Sequence, residues 1–130
     1  RTVLGSSMGG LFAFFAGRSR GDVFGKVIAL SPSFWWAGRA MVRECESPVC
    51  PVPRATLYID SGAPIDAFES DAGKNDGFAD MIALRDALVG HCYDAGVNLH
   101  ALCFPGAVHD SASWASRLAI PLQLLLPRRD

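Results

Sequence analysis

Charge of one sign is scarce in this chain. Twelve lysines and arginines face thirteen aspartates and glutamates, leaving a formal charge of −1. Without a basic excess nothing displaces counterions from a phosphate backbone, so nucleic acid is not expected as a partner. Long apolar runs are missing too: none nears the roughly 18 residues that cross a bilayer, and no membrane contact is expected. Cysteine is limited to four residues, Cys45, Cys50, Cys92 and Cys103, too few for a disulfide-rich scaffold. Cys92 and Cys103 lie among apolar neighbours and read as small buried hydrophobes. Cys45 and Cys50 are close enough in sequence to pair in an oxidising compartment. Cys-x4-Cys with no second cluster or nearby His is a poor zinc site, and no metal is expected. The opening Arg1-Thr2-Val3-Leu4-Gly5 has no initiator Met and no charged-then-apolar-then-small signal layout. That tilts the location slightly toward the cytoplasm and leaves the compartment open.

What is present is a core. Half of the 130 residues are hydrophobic, 19% are charged, and the mean hydropathy is +0.22. These values exclude a disordered or collagen-like chain, and the length suits a single domain.

Strand and helix signals alternate, which predicts a parallel sheet covered on both faces. Thr2-Val3-Leu4 reads as a short strand ended by Gly5. A helix follows from Met8 to near Gly17, with Met8, Leu11, Phe12 and Phe15 spaced as one apolar stripe. Val27–Leu30 is a second strand, and Ser31–Trp36 an aromatic loop. Residues 37–54 hold Arg39, Arg43, two cysteines and three prolines and read as a surface excursion. Thr56–Asp60 is a third strand, stopped by Ser61-Gly62, and 61–77 has loop composition. Phe78, Met81, Ile82, Leu88, Val89 and Cys92 trace a helical stripe. Leu99–Phe104 is a fourth strand, Pro105-Gly106 turns it into a loop holding His109, and a last helix carries Trp114, Leu118, Leu122 and Leu125 with a break at Pro121. Because the chain starts at a strand end entering a turn, it is expected to be the C-terminal part of something longer.

Gly5-Ser6-Ser7-Met8-Gly9 is G-x-S-x-G between a predicted strand and a predicted helix, the setting of a nucleophile elbow. A turn that tight strains Ser7 and lifts its hydroxyl clear of the sheet; glycine is expected on both flanks, where a Cβ would clash. The helix that follows aims free N–H groups at the reacting carbonyl, and the N–H of Met8 is the expected oxyanion donor. A serine needs a base, and the base an orienting acid, in the chain order Ser, acid, His. His91 falls in a helix and His100 in a strand, whereas His109 follows the last strand, where the base belongs. Asp60, Asp66, Glu69, Asp71 and Asp76 all compete for the acid. Trp35 and Trp36, after Phe34, are placed to line a substrate pocket and are equally placed to pack beneath a loop.

In Gly5-Ser6-Ser7-Met8-Gly9-Gly10-Leu11, Val23-Phe24-Gly25 and Ala29-Leu30-Ser31-Pro32-Ser33-Phe34-Trp35-Trp36 the chain resembles the esterase-D-like family of α/β-hydrolases, relatives of siderophore and feruloyl esterases, S-formylglutathione hydrolases and mycolyltransferases. The likeness continues in Leu57–Gly62, Phe104–His109, Trp114, Arg117-Leu118 and Pro121-Leu122, and passes over only residues 37–54. The resemblance implies an α/β-hydrolase fold, with residues 1–130 a domain fragment that begins at the elbow strand and lacks the N-terminal strands. It also implies a serine esterase triad with no metal or organic cofactor: Ser7 as nucleophile, His109 as base and Asp76, ahead of the helix, as acid. Many relatives have Asn-Glu after the histidine, where this chain has Asp110-Ser111, which puts local loop contacts in question. The expected function is hydrolysis of a small-molecule carboxylic ester through an acyl-enzyme on Ser7. The rival, of another class, is an inactive hydrolase piece serving as a binding or scaffold module, or a truncated product. Homo-oligomerisation is left open.

Overall fold

The computed structural model describes residues 1–65 and 76–127. In chain order the elements are β1 (Thr2–Ser6), α1 (Met8–Ser19), β2 (Lys26–Leu30), α2 (Trp36–Cys45), β3 (Thr56–Ala63), α3 (Phe78–His91), β4 (Leu99–Pro105), α4 (Ser111–Arg117) and α5 (Ala119–Leu125). The strands lie in the order β1-β2-β3-β4 and every pairing is parallel. Parallel neighbours cannot be joined by a tight turn, so a helical crossover separates each pair.

Both faces of the sheet are covered, as the near-continuous apolar runs predict. Val27 and Ala29 point to one face with Leu57 and Ile59, where Leu11, Phe14, Phe34, Val42, Met81, Leu84 and Leu88 pack on them. Ile28, Leu30 and Tyr58 point to the other face, against Leu125 with Trp114, Leu118 and Ile120. Thus α1, α2 and α3 cover one side, and α4 and α5 the other. On its far side β1 has no partner strand among the described residues.

Helix α1 is rotated from the predicted stripe. Met8, Phe12 and Phe15 are 46%, 65% and 49% exposed, while Gly10, Leu11, Ala13, Phe14, Ala16 and Gly17 are buried. The cause is close approach. A Cβ on Gly17 would lie 2.1 Å from Val27 Cγ2, and one on Gly10 would lie 3.1 Å from Pro32 Cα. Small residues therefore set how closely the helix sits on the sheet, with Leu11 and Phe14 packed beside them and Met8, Phe12 and Phe15 turned outward, which apolar periodicity alone does not register. In α3 the buried residues are Met81, Leu84 and Leu88; Val89, placed in the predicted stripe, is exposed.

Residues 37–54 are more than a surface excursion. After Ala37, Gly38 and Arg39, all with positive φ, α2 buries Val42 and Cys45 in the core shared with α3. The cysteines pair differently from expectation: Cys50 bonds to Cys92, with Cα atoms 5.6 Å apart across 42 residues. Pairing follows the approach of α3's end to this segment, which sequence proximity of Cys45 and Cys50 does not encode. Cys45 is a buried free thiol, and Cys103, expected in the core, is an exposed free thiol on β4. β3 runs through Ser61-Gly62 to Ala63, because β4 pairs with it as far as Pro105. The last helix does break: α4 ends at Arg117, four residues before Pro121, whose ring cannot coexist with a helical carbonyl there.

The two glycines of the G-x-S-x-G turn divide. A Cβ on Gly5 would stand 2.1 Å from the carbonyl oxygen of Gly9, whereas one on Gly9 meets nothing within 4 Å. The expectation that both flanks exclude a side chain holds for Gly5 alone. Accordingly Gly5→Ala should cost about 2–4 kcal/mol, since backbone must move. Gly9→Ala, within a helix, should be neutral or up to about 1 kcal/mol stabilising. Urea denaturation of both variants measures the difference.

Burial pushes the Cys45 thiol up to about 11, so the reactive thiolate is scarce at neutral pH as well as hidden. Iodoacetamide at pH 8 should alkylate Cys103 in the native protein, reach Cys45 only after unfolding, and reach Cys50 and Cys92 only after reduction. Peptide mapping by mass spectrometry reads all four.

Candidate active site

Ser7 is the single residue between β1 and α1. Its backbone sits at φ 56°, ψ −124°, a conformation that costs a side-chain-bearing residue about 1–3 kcal/mol. Three hydrogen bonds impose it: its N–H donates to Leu30 O at 3.0 Å, and its carbonyl accepts from Leu11 N at 3.1 Å and Ser33 N at 3.0 Å. The strained turn projects the Ser7 hydroxyl toward the loop after β4. There His109 Nε2 lies 2.8 Å from Ser7 Oγ. Ser33 Oγ stands 3.3 Å from the same oxygen.

The other ring nitrogen, His109 Nδ1, is 2.8 Å from Asp76 Oδ1. Asp76 immediately precedes the α3 region and its side chain is fully buried. A carboxylate only accepts, so Nδ1 carries the proton and Nε2 is left to accept from the Ser7 hydroxyl. Asp76 Oδ2 accepts from Ser31 Oγ at 2.7 Å and from the backbone N–H of Gly62. The Trp114 ring meets the His109 ring edge-on, with centroids 5.0 Å apart at 90°. Asp110 caps α4 by accepting from Ser113 N at 2.7 Å, so the Asp110-Ser111 pair starts a helix beside the histidine.

Ser7, Asp76 and His109, singled out from the sequence, thus form one hydrogen-bonded line. Asp66, Glu69 and Asp71, the alternative acids, lie outside the described residues. Asp60 is turned elsewhere: its carboxylate accepts from Arg117 Nε and Nη2, each at 3.0 Å, from Tyr58 Oη at 3.0 Å and from Ser31 N at 3.0 Å. Burial, and then the adjoining Asp60 carboxylate, raise the Tyr58 hydroxyl far above its ordinary value, so it remains a donor. His91 ends α3 and His100 lies within β4, neither in the line.

Met8 opens α1, and its backbone N–H belongs to the first turn, which has no acceptor four residues back. The three aromatics of the predicted loop part company. Phe34 is core, edge-on to Phe14 at 5.2 Å, while Trp35 and Trp36 are exposed. Trp36 joins Met8, Phe12, Phe15 and Met41 around an apolar groove of about 360 Å³. Trp35 lies beside Gly77, the neighbour of Asp76. The arginines of the excursion are engaged locally, Arg39 with Asp80 at 2.7 Å and Arg54 with the Cys92 carbonyl.

Sequence reasoning missed Ser31, Ser33 and Arg117 as neighbours of the site. Two signals were there. The serines follow the C-terminal end of a buried strand, where α/β sheets build their sites. Arg117 is a charge embedded in an apolar helical stripe, and a buried arginine requires a buried partner.

A protein-family model described as "Putative esterase" matches residues 1–124. No match was found among curated protein sequences. Among solved structures, the ferric enterobactin esterase of Salmonella typhimurium superposes with a TM-score of 0.68 at 22% identity, covering 95% of this chain and 29% of that one. The enterobactin esterase of Shigella flexneri, solved in the presence of enterobactin, gives 0.69 at 22% identity, covering 97% and 30%. The siderophore hydrolase EstB of Aspergillus nidulans gives 0.59 at 24% identity, covering 98% and 49%. The chain therefore spans under a third of these bacterial enzymes and about half of the fungal one. The four-stranded parallel sheet with its flanking helices is an α/β-hydrolase fold, shared with these esterases. The family match runs through nearly the whole sequence, and the chain belongs to this esterase family.

Proposed function

We propose that the chain carries the catalytic machinery of a serine esterase acting on a small-molecule carboxylic ester. One observation carries the reading: the two nitrogens of His109 are each 2.8 Å from a partner, Ser7 Oγ on one side and Asp76 Oδ1 on the other. The strained backbone of Ser7 supports it, since such strain persists where the surroundings impose it.

Ser7 Oγ attacks the ester carbonyl while His109 Nε2 takes the hydroxyl proton. The carbonyl oxygen gains the negative charge and is met by the Met8 N–H at the positive end of α1. Collapse breaks the bond to the alcohol, which leaves with the proton from His109. Water then gives a proton to His109, attacks the acyl-enzyme, and the acid departs as Ser7 is re-protonated. Asp76 keeps Nδ1 protonated and aimed throughout. Trp36, on the groove beside Met8, and Trp35, beside Gly77, are assigned to holding the substrate's apolar part.

We further infer that residues 1–130 act within one hydrolase domain and are weak on their own. The edge of β1 that has no partner strand among the described residues is a template for another chain, and exposed Met8, Phe12 and Phe15 add an apolar patch on α1.

Ser7→Ala should abolish turnover of a p-nitrophenyl ester by several orders of magnitude in protein that still folds, and His109→Ala should do the same. Asp76→Asn should cost less, about ten- to thousandfold, because a misaimed histidine still works part of the time. A phosphonate probe should label Ser7 in the native protein; absence of both labelling and turnover would leave the binding-module reading in its place. The 130-residue chain alone should associate on size-exclusion chromatography and run about 10²–10³-fold slower than protein from the full open reading frame.

A further inference from the structure

Ser31 is one of few side-chain-bearing residues with positive φ, at 42°. It is fully buried. Nothing in its own sequence neighbourhood calls for that conformation. Its surroundings do: the N–H is held by the carbonyl oxygen of Asp60 at 3.1 Å and by Asp60 Oδ1 at 3.0 Å. In that pose the hydroxyl donates to Asp76 Oδ2 and accepts from Arg117 Nη2, both at 2.7 Å.

Arg117 is 97% removed from solvent, and its charge is bound by Asp60 through two N–H groups. Nη1 donates to Ser113 Oγ at 3.1 Å, and the guanidinium lies over the Phe104 ring at 5.0 Å. With its plane so constrained, Nη2 also comes to 4.0 Å from Asp76 Oδ2. The buried cluster holds two carboxylates and one guanidinium. Its one unbalanced negative charge faces His109, where a positive charge forms when Ser7 gives up its proton.

We propose that Arg117 and Ser31 are positioning residues for the Asp76–His109 pair, with Asp60 as the anchor that fixes both. Ser31 occupies one side of Asp76 Oδ2 and Gly62 N–H another, so the carboxylate cannot rotate away, and Oδ1 stays directed at Nδ1. Arg117 orients the Ser31 hydroxyl by donating to it, which leaves its proton to point at Asp76. The inference rests on Ser7, His109 and Asp76 acting together as proposed above.

The test uses protein from the full open reading frame and p-nitrophenyl ester kinetics, alongside phosphonate labelling and thermal melts. Ser31→Ala should lower kcat about 10- to 100-fold with KM changed by less than about twofold, since only the aim of the charged pair is altered. Arg117→Met should lower kcat at least as much, and Arg117→Lys, which keeps the charge and loses the fork, should recover part of it. Arg117→Met strands the Asp60 charge and is expected to lose stability. The double variant Asp60→Asn/Arg117→Met removes both charges and should regain stability without regaining kcat. If folded Ser31→Ala and the folded double variant keep wild-type kcat while the wild type labels at Ser7, the positioning role is wrong. If the wild type neither labels nor turns over ester, the esterase reading itself fails and this inference falls with it.

Discussion

The Asp76 carboxylate is sealed from water, so the protein must supply the hydrogen bonds that water would otherwise give. That one requirement gathers the site. Ser31 comes from the end of β2, Gly62 from the end of β3, and His109 from the loop after β4. All four strands run the same way, so their C-terminal ends open on one side of the sheet, and residues far apart in sequence converge there. The buried acid is thus both a member of the site and the point where three strand ends are fastened.

A second buried carboxylate, Asp60, serves the first indirectly. Burying an ion pair such as Asp60 with Arg117 is costly, and apolar replacements of such pairs are often no less stable. The arrangement is therefore better understood by what it aims than by what it stabilises. Its donors occupy Asp60, Ser31 and Ser113, leaving the guanidinium little freedom, and the geometry is passed on to Asp76. Tyr58, kept protonated by burial, completes the shell around Asp60.

Close packing of α1 has consequences at the surface. Gly10, Ala13 and Gly17 let the helix settle onto β2 and hold its N-terminus under Ser7. Leu11 and Phe14 pack beside them, while Met8, Phe12 and Phe15 lie on the opposite side of the helix. Turned outward, these three meet Trp36 and Met41 and form an apolar groove that begins at Met8, next to Ser7. The same constraint that positions Ser7 thereby shapes the surface beside it.

Much of this was legible in the sequence because it is local. G-x-S-x-G between strand and helix marks the strained turn at Ser7, and four apolar runs mark the strands. Pro121 marked the break in the last helix, since a ring at that position acts on the carbonyl four residues earlier. What was not legible depends on approach between distant segments. Which face of α1 is buried is decided by Gly10 and Gly17 against β2. Cys50 finds Cys92 and not Cys45 because α3 ends beside the excursion. The choice of Asp76 among the loop carboxylates leaned on family likeness, since composition treats those acids alike. Above all, Ser31, Asp60 and Arg117 look ordinary one by one, and only the fold, by burying all three where their charges and donors must be matched, joins them to the site.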